Sequence, residues 1–344
     1  MARVSVVIPT YNRAPFLPQA LESVFAQTCQ DFELIVVDDG SDDDTPQVVA
    51  GRDDRLRYLR LEHRGVSAAR NAGLAAASAP YLAFLDSDDL WAPEMLATGI
   101  DYMETHPECG LVCSDFAVGE TRGGSPPVRW ESFLGVGRAQ GLVQTAGFPE
   151  LLSGNFVSLC TAVIRTSAAR EVGGFDEALP VMEDWDFALR LAARRPIGFI
   201  NRILAYSRRH GENLSDDRGA MHRAAVQVFR KIESDPEIAR RWRRLLRRRS
   251  ADAHYRLGYW MLYQAEQSQA RRFLRESVRR RWWLNRAWRY LVLSLMPRPV
   301  MGLLRSLRLR GQQRRRLRRR SVAQSGRSAS PPSRNCRGRC ESPR

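Results

Sequence analysis

The 344-residue sequence lacks the features that mark secreted and membrane-spanning proteins. No charged leader with an apolar stretch behind it precedes the first strand-like run, Val4-Ser5-Val6-Val7-Ile8. The longest apolar run near the end, from Tyr290 to Met296, is far shorter than the roughly 20 residues that a spanning helix needs. The few cysteines are interpreted as reduced thiols. We therefore expect a protein that is cytoplasmic or lies on the inner face of the plasma membrane.

Acidic residues are scarce in the last third of the chain. Residues 219–344 hold 34 Lys+Arg and 7 Asp+Glu, a net charge of +27, whereas residues 1–218 hold 20 and 31, a net charge of −11. This division of charge predicts an acidic body joined to a basic region that binds anionic surfaces. We predict one domain over 1–218, a basic α-helical extension over 219–320, and a disordered Ser/Arg/Gly/Pro tail over 321–344.

Short β-branched runs alternate with helical patterns through the first hundred residues. This alternation predicts an α/β fold with a mostly parallel sheet flanked by helices. The predicted strands are 4–8, 34–38, 56–61 and 81–85, and the predicted helices are 15–27, 45–50 and 66–77.

Three of the predicted strands end in polar loops. Because the carboxyl ends of parallel strands meet at one edge of a sheet, these loops are expected to gather where open α/β sheets bind ligands. The loops are Pro9-Thr10-Tyr11-Asn12, Asp38-Asp39-Gly40-Ser41 and Asp86-Ser87-Asp88-Asp89.

Six ordered segments within residues 3–215 resemble family 2 glycosyltransferases. The resemblance implies a GT-A fold, in which a nucleotide-binding α/β sheet merges with an acceptor-binding half, and inverting transfer from a nucleotide diphosphate sugar. The segments are Val6-Val7-Ile8-Pro9-Thr10-Tyr11-Asn12, Val36-Val37-Asp38-Asp39-Gly40-Ser41, Ala69-Arg70-Asn71-Ala72-Gly73, Leu85-Asp86-Ser87-Asp88-Asp89, Gly173-Gly174-Phe175-Asp176-Glu177 and Glu183-Asp184-Trp185-Asp186.

The resemblance assigns five residues to the base, ribose and diphosphate of the donor. Pro9, Thr10 and Tyr11 line the base and ribose, Asp39 accepts a hydrogen bond from uracil, and Arg70 helps neutralise the diphosphate. Two alternatives stay open, because Asp and Gly are also common in tight turns and an arginine on a helix is often solvated.

Alternating carboxylates in the third loop suit a hard cation such as Mg²⁺ or Mn²⁺. By resemblance, Asp88 is the direct ligand, Asp86 and Ser87 belong to the nucleotide-sugar site, and His210 approaches the metal or the diphosphate. The alternatives are that the acids cap the following helix and that His210 is simply exposed.

An inverting transfer needs a general base, and the resemblance assigns this role to Asp184. Neighbouring Glu183, or burial against Trp185, is expected to raise its pKa. Glu183 and Trp185 are assigned to the acceptor side. The same acids also suit a helix N-terminus, and both interpretations are compatible.

Helical periodicity follows residue 219 and predicts one or two helical hairpins. Arginine runs at 240–249, 271–281 and 314–320 are interleaved with aromatic residues, which favours contact with an anionic membrane over nucleic acid. A third possibility is that the apolar stripes pack on the catalytic body. Those stripes are Ala253/Leu257/Trp260/Met261 and Ala270/Phe273/Leu274/Ser277/Val278, and the aromatic segment contains Trp282, Trp283, Trp288, Tyr290 and Leu291.

The expected partners are a nucleotide-sugar donor, with UDP favoured, and a glycan or lipid-linked acceptor in cell-surface polysaccharide synthesis. Acceptor choice is assigned to the Gly- and Pro-rich segment 119–154. One alternative is a sugar-phosphate nucleotidyltransferase, although the first glycine is Gly40 and no Gly-rich phosphate loop precedes it. The other is a basic nucleic-acid or membrane-binding protein without catalysis.

Overall fold

The computed structural model describes residues 2–120, 131–132, 145–210, 217–283 and 285–296. The predicted substrate-facing segment 119–154 lies largely outside these residues, as do the arginine run 314–320 and the predicted disordered tail.

The strands are β1 (Val4–Thr10), β2 (Phe32–Asp38), β3 (Leu56–Arg60), β4 (Tyr81–Phe84), β5 (Leu90–Trp91), β6 (Leu111–Glu120), β7 (Glu131–Ser132), β8 (Thr145–Ala146), β9 (Val163–Arg165) and β10 (Ile197–Arg209). The helices are α1 (Leu17–Phe25), α2 (Thr45–Val49), α3 (Val66–Ala76), α4 (Met95–Thr105), α5 (Phe148–Ser153), α6 (Thr166–Glu171), α7 (Glu183–Ala192), α8 (Arg218–Ser234), α9 (Pro236–Tyr263), α10 (Gln267–Arg280) and α11 (Asn285–Leu293).

A mixed sheet with the order β3-β2-β1-β4-β9-β6-β10-β5 forms the centre of the fold. Its first four strands are parallel and agree with the predicted strands to within about two residues at each end. β9 is inserted antiparallel between β4 and β6, while β10 runs parallel to β6 and antiparallel to β5. The α/β prediction is confirmed, and the carboxyl ends of β1, β2 and β4 share one edge.

Apolar residues cover both faces of the sheet, as expected for buried parallel strands. In β1, Val4, Val6 and Ile8 belong to the core on one face, which α1 and α4 cover, and Val7 belongs to the core on the other. This second core also contains residues of α3, α7 and α8. A strand alternates its side chains between faces, so this one run supports two layers of helices.

Helix α3 packs very close to β1 because of Gly73. A Cβ atom at this position would lie 2.3 Å from Cγ1 of Val7, a distance that real Cβ contacts do not reach. The glycine therefore lets the helix backbone approach the sheet. Arg70, one turn earlier, is fixed near the edge where the loops meet.

The basic extension packs on the rest of the chain through apolar residues of α8 and α9. Phe229 of α8 makes an edge-to-face contact with Trp185 of α7, with 5.6 Å between ring centroids. Trp242 of α9 stacks on Phe148 of α5 at 4.4 Å. The proposed boundary at 218/219 therefore falls at the start of α8, while one apolar core continues across it.

The predicted helical hairpin is present as α9 and α10, which pack against each other. Leu257, Met261, Ala270 and Leu274 are buried there. The turn between the helices includes Ala265 in a left-handed conformation, with φ 72°. Among the described helices, none combines the length and apolarity that crossing a bilayer requires.

Lys231 of α8 joins the extension to the region around α7. Its Nζ donates to Asp176 Oδ2 at 2.7 Å and to Asp186 Oδ2 at 2.9 Å. Asp186 is fully buried and is also paired with Arg190 at 2.7 Å. Because a buried carboxylate needs such partners, these contacts tie the packing of α8 to the position of α7.

We expect Lys231→Met to lower the free energy of unfolding by about 1–3 kcal/mol, since it removes a charged hydrogen-bond donor from the buried Asp186. Urea unfolding followed by circular dichroism measures this change. Arg202→Met is the matched control, because Arg202 forms an exposed pair with Glu94 and its loss should cost less than about 1 kcal/mol. Equal losses in both variants would contradict the assignment.

Candidate functional site

The loops that follow β1 and β2 are held together by hydrogen bonds. The N–H of Asn12 donates to Ser41 Oγ at 2.9 Å, and the N–H of Asp42 donates to Asn12 Oδ1 at 2.8 Å. The fully buried Asp38 accepts from the N–H of Ser41 at 2.8 Å and from the hydroxyl of Tyr58. Asp38 therefore shapes the turn, in agreement with the turn interpretation of this segment.

Asp39, which follows β2, lies beside the N-terminus of α3, where its carboxylate accepts two backbone hydrogen bonds. The donors are the N–H groups of Arg64, at 2.9 Å, and Gly65, at 2.7 Å. An anion is stabilised at a helix N-terminus by the helix dipole. His63 lies 3.0 Å from the same carboxylate and stacks on Tyr11 with 4.1 Å between centroids. The sequence did not indicate the 63–65 segment as part of the site.

The three residues predicted to line the base differ in exposure. Pro9 and Thr10 are buried at the end of β1, and Thr10 Oγ1 is a buried hydroxyl without a hydrogen-bond partner in the described part of the chain. Tyr11 is 38% exposed, and His63, which stacks on it, also contacts Asp39. This edge therefore combines a partly exposed aromatic ring with a fixed carboxylate.

Arg70 joins the loop after β4 to the start of α7. Its Nη2 donates to Asp86 Oδ1 at 2.8 Å and its Nη1 donates to Glu183 Oε1 at 2.5 Å. The guanidinium lies 5.6 Å from the ring centroid of Phe175 and is only 5% exposed. Against the effect of burial, the two carboxylates raise the pKa of Arg70. Arg70 is thus an anchor between acids, and the solvated-helix interpretation is wrong.

Asn71, the next residue of α3, holds the Gly-Gly-Phe turn. Its side chain donates to the carbonyl of Phe175 at 2.9 Å and accepts from the N–H of Phe175 at 2.8 Å. Gly174 has φ 67°, a conformation that favours glycine. The ring of Phe175 packs against Phe84 and Phe187. Three sequence motifs that are far apart in the chain therefore meet around α3.

The two predicted metal ligands are in contact. Nε2 of His210 lies 2.8 Å from Asp88 Oδ2, and the imidazole stacks on Phe16 at 4.9 Å between centroids. Ser87 is buried beside them. The carboxylate oxygen of Asp88 suits Mg²⁺ or Mn²⁺, and the imidazole nitrogen of His210 favours the softer Mn²⁺ of the two. Within the described residues, no group of three or more His, Cys, Asp and Glu side chains is arranged as a complete cage.

Arg208, which no sequence motif indicated, contacts Asp88 and also Phe16, on which His210 stacks. It is fully buried in β10, and its guanidinium donates to the carbonyl oxygens of Asp88 and Phe16 and to Gln19 Oε1. Arg208 lies in β10, and His210 directly follows the end of this strand. No local feature of this polar segment indicated that Arg208 is buried.

Asp184 lies in the first turn of α7 and has a strongly shifted pKa. Desolvation and then the neighbouring Glu183 raise the pKa of Asp184 to about 7, although Arg70 and the N–H of Trp185 act in the opposite direction. Met182, just before α7, has the left-handed φ of 65° that turns the chain into this position. A carboxyl group with a pKa near 7 is suited to accept a proton at neutral pH.

Trp185 and Glu183, the two residues assigned to the acceptor side, are both largely buried. Trp185 is only 7% exposed, packs on Phe229 and donates from Nε1 to the carbonyl of Leu151 at 3.2 Å. Glu183 is 8% exposed and its carboxylate is paired with Arg70. A tryptophan that follows two acids in an amphipathic helix turns towards the core because its large apolar surface is best buried there.

Comparison with known families and relatives gives one family. Residues 5–173 match the glycosyl transferase family 2. An uncharacterized glycosyltransferase of Rickettsia bellii is 31% identical over 214 residues, which are 62% of this chain and 29% of that protein. The validoxylamine A glucosyltransferase of Streptomyces hygroscopicus is 50% identical over 97 residues, which are 26% of this chain and 23% of that protein. The chain spans about a third of the length of the first Rickettsia relatives that it matches.

Solved structures share the fold. S. aureus TarS 1-349 in complex with UDP-GlcNAc has a TM-score of 0.61 and 20% identity, with 81% of each chain covered. The mannosyltransferase PcManGT from Pyrobaculum calidifontis, in complex with GDP-Man and Mn²⁺, has a TM-score of 0.57 and 20% identity, with 88% of this chain and 83% of that chain covered. The GT-A fold expected from the sequence motifs is confirmed.

Proposed function

The chain belongs to the glycosyl transferase family 2, and we propose that it is an inverting, metal-dependent enzyme that transfers a sugar from a nucleotide diphosphate, with UDP favoured. One observation carries this proposal: a chain of contacts at the carboxyl edge of the sheet joins the candidate donor and base residues. His210 touches Asp88, and Arg70 connects Asp86 to Glu183, the neighbour of Asp184. These contacts support the proposal that donor activation and proton removal occur side by side.

The loops after β1 and β2 are proposed to take the nucleotide. Tyr11 offers its exposed ring to the base, and Asp39, held by two backbone N–H groups, retains lone pairs for an N–H of the base. Arg70 and Asp86 are proposed to act on the side of the diphosphate and the sugar. The selectivity for uracil then depends on few contacts, so guanine and thymine nucleotides are the necessary comparisons.

Asp88 and His210 are proposed to hold Mg²⁺ or Mn²⁺ together with phosphate oxygens of the donor. When bound, the cation offsets the negative charge of the diphosphate as it leaves. Arg208 keeps the backbone of Asp88 and the ring of Phe16 in place, so the two ligands converge before the donor arrives. Such prior order lowers the cost of assembling the site.

Asp184 is proposed to act as the general base. Its ionised carboxylate accepts the proton of the acceptor hydroxyl while that oxygen forms a bond to the anomeric carbon. The bond between this carbon and the diphosphate oxygen breaks on the opposite face, which inverts the configuration. A pKa of about 7 matches this task, because the carboxylate is substantially ionised at neutral pH and still has affinity for a proton.

The acceptor is proposed to be a hydroxyl of a glycan or of a lipid-linked saccharide in cell-surface polysaccharide synthesis. The basic extension supports this assignment, because a positively charged helical surface attracts the anionic inner face of the plasma membrane, where such acceptors are found. The sugar transferred is proposed to be a hexose or its N-acetylated relative.

Calorimetric titration with UDP, GDP and dTDP, each with and without Mn²⁺, tests the donor site. We expect one nucleotide to bind in a Mn²⁺-dependent manner and Asp88→Ala to weaken that binding by about tenfold or more, since it removes a carboxylate ligand. Asp101→Ala, which alters an exposed acid of α4, serves as the control and should bind normally. A folded protein that binds none of these nucleotides would contradict the proposal.

A further inference from the structure

The surface around α11 carries large apolar side chains in solvent. Trp282 is 69% exposed, Trp283 58%, Trp288 46%, Val292 57% and Leu295 61%. These residues are the main exposed apolar side chains among the described ones, apart from Tyr11 and Met296. Because soluble proteins rarely gather so many in one short segment, the patch indicates a binding surface.

The exposed apolar side chains of α11 lie on the face of the helix opposite its contact with α9. Ala287 is buried, and Tyr290 packs on Tyr259 of α9 with 4.6 Å between centroids, so one face of the helix is anchored on the extension. Trp288 and Val292 lie one turn apart on an outward face of α11, and the exposed Leu295 follows in the turn after the helix ends at Leu293. The helix therefore has two apolar faces, of which only one is covered by α9.

The tryptophans before α11 are held in fixed positions. Nε1 of Trp288 donates to the carbonyl oxygen of Trp282 at 2.7 Å, and the rings of Trp282 and Trp283 meet edge to face at 6.0 Å. The guanidinium of Arg281 lies 5.7 Å from the ring centroid of Trp283. This segment and the outward face of α11, from Arg279 to Met296, are called the tryptophan surface below.

Charge along this part of the sequence is of one sign, and the acids near it, Glu233, Glu276 and Asp252, are already paired with Arg280 and Arg281. From residue 277 to residue 340 the sequence contains nineteen arginines and no aspartate, glutamate or lysine. Arg279 is highly exposed, and Arg286 and Arg289 are exposed within α11 itself. A partner must therefore offer negative charge together with an apolar phase that can take tryptophan and aliphatic side chains.

We infer that the tryptophan surface docks the protein on an anionic lipid bilayer, with α11 lying in the headgroup region. Tryptophan rings and arginines suit this boundary, where the rings reach the acyl chains and the guanidinium groups remain among phosphates. Nucleic acid fits less well, because phosphates and bases offer no apolar phase for Val292 and Leu295. This inference sharpens the membrane contact in the proposed function but is independent of the donor site.

Flotation of the full-length protein with vesicles, in the absence of nucleotide, tests the inference. We expect binding to an equal mixture of phosphatidylcholine and phosphatidylglycerol, little binding to phosphatidylcholine alone, and weaker binding as salt is raised. The double variant Val292→Ser/Leu295→Ser should bind about tenfold or more weakly, because it removes aliphatic burial without changing charge. Arg52→Ser, an exposed change far along the chain, should bind like the unaltered protein.

Three outcomes would overturn the inference. Unchanged vesicle binding by the double variant would assign the membrane contact to residues 297–344. Tight binding of single-stranded RNA by both proteins, without vesicle binding, would identify a nucleic-acid surface. Loss of a dimer in the double variant, again without vesicle binding, would identify a contact between two copies of the chain. Metal-dependent nucleotide titration of the same samples shows separately whether the proposed donor site is intact.

Discussion

Asp184→Asn is expected to lower kcat by about 10²–10⁴-fold while leaving nucleotide affinity close to that of the unaltered protein. Asparagine keeps the size of the side chain but cannot accept a proton, so the effect falls on the transfer step. Release of the nucleotide diphosphate can be followed with water as the acceptor, which avoids the need to know the natural one. Glu171→Gln, which changes an exposed carboxylate of α6, is the matched control and should retain normal turnover.

The pH dependence of the same reaction identifies the group that is lost. With the pKa of Asp184 at about 7, its carboxylate is protonated and inactive at lower pH, so the rate should fall as pH decreases through 7 and level off above it. The asparagine variant should lack this step. A variant that keeps the full rate, or that keeps the step at pH 7, would show that another residue is the base.

Arg70→Met should destabilise the protein by about 3–5 kcal/mol, because it leaves the two acids paired with Arg70, the buried Glu183 and Asp86, without their cation. Arg70 also lowers the pKa of Asp184, so its removal should move the pH at which activity rises to values above 7. Denaturant unfolding measures the first effect and the pH profile of donor hydrolysis measures the second.

Arg170→Met provides the comparison for this change. Arg170 donates to the carbonyl oxygens of Leu74 and Ala77. Its loss should cost about 1 kcal/mol and leave the pH profile in place. If Arg70→Met were as stable as the control variant, with an unshifted profile, Arg70 would not be the anchor between donor loop and base. If the Met variant fails to fold, Arg70→Lys keeps a charge and allows the pH profile to be measured.

The first four strands and the helices between them could be predicted from the sequence because period and composition act locally there. β-branched runs such as Val4–Thr10 and polar turns such as the one after Asp38 specify their own conformation. β9 was not predictable in the same way, since only three residues, Val163–Arg165, pair between two distant strands. Its position depends on the fold around it.

In the candidate site, the sequence indicated which residues matter but did not indicate how deeply their side chains are buried. Motif order indicated Asp88, Asp184 and Arg70 as residues of interest, but burial was not evident from spacing. Arg70 proved to be shared between two acids, and Trp185 turned into the core. Arg208 stayed hidden because an arginine next to another arginine in a polar segment has no local feature that predicts full burial.

The question of whether the basic extension packs on the body or meets another surface was left open by its sequence. The two alternatives proved compatible, because α8 and α9 contribute Phe229 and Trp242 to contacts with α7 and α5, while α11 keeps an outward apolar face. The amphipathic pattern of a single helix does not show whether its apolar face packs on the body or meets another surface. Only the three-dimensional order of the helices shows which face is already covered.

Lys231 is the one lysine of the entire sequence, which otherwise carries its positive charge on arginine. A reagent that acylates primary amines therefore has a single side-chain target, and that target lies at the junction between α8 and α7. While Lys231 is paired with Asp176 and Asp186, its amine is held against two carboxylates and is less accessible to the reagent. The rate of covalent labelling at this residue is thus a direct chemical record of how often the junction opens.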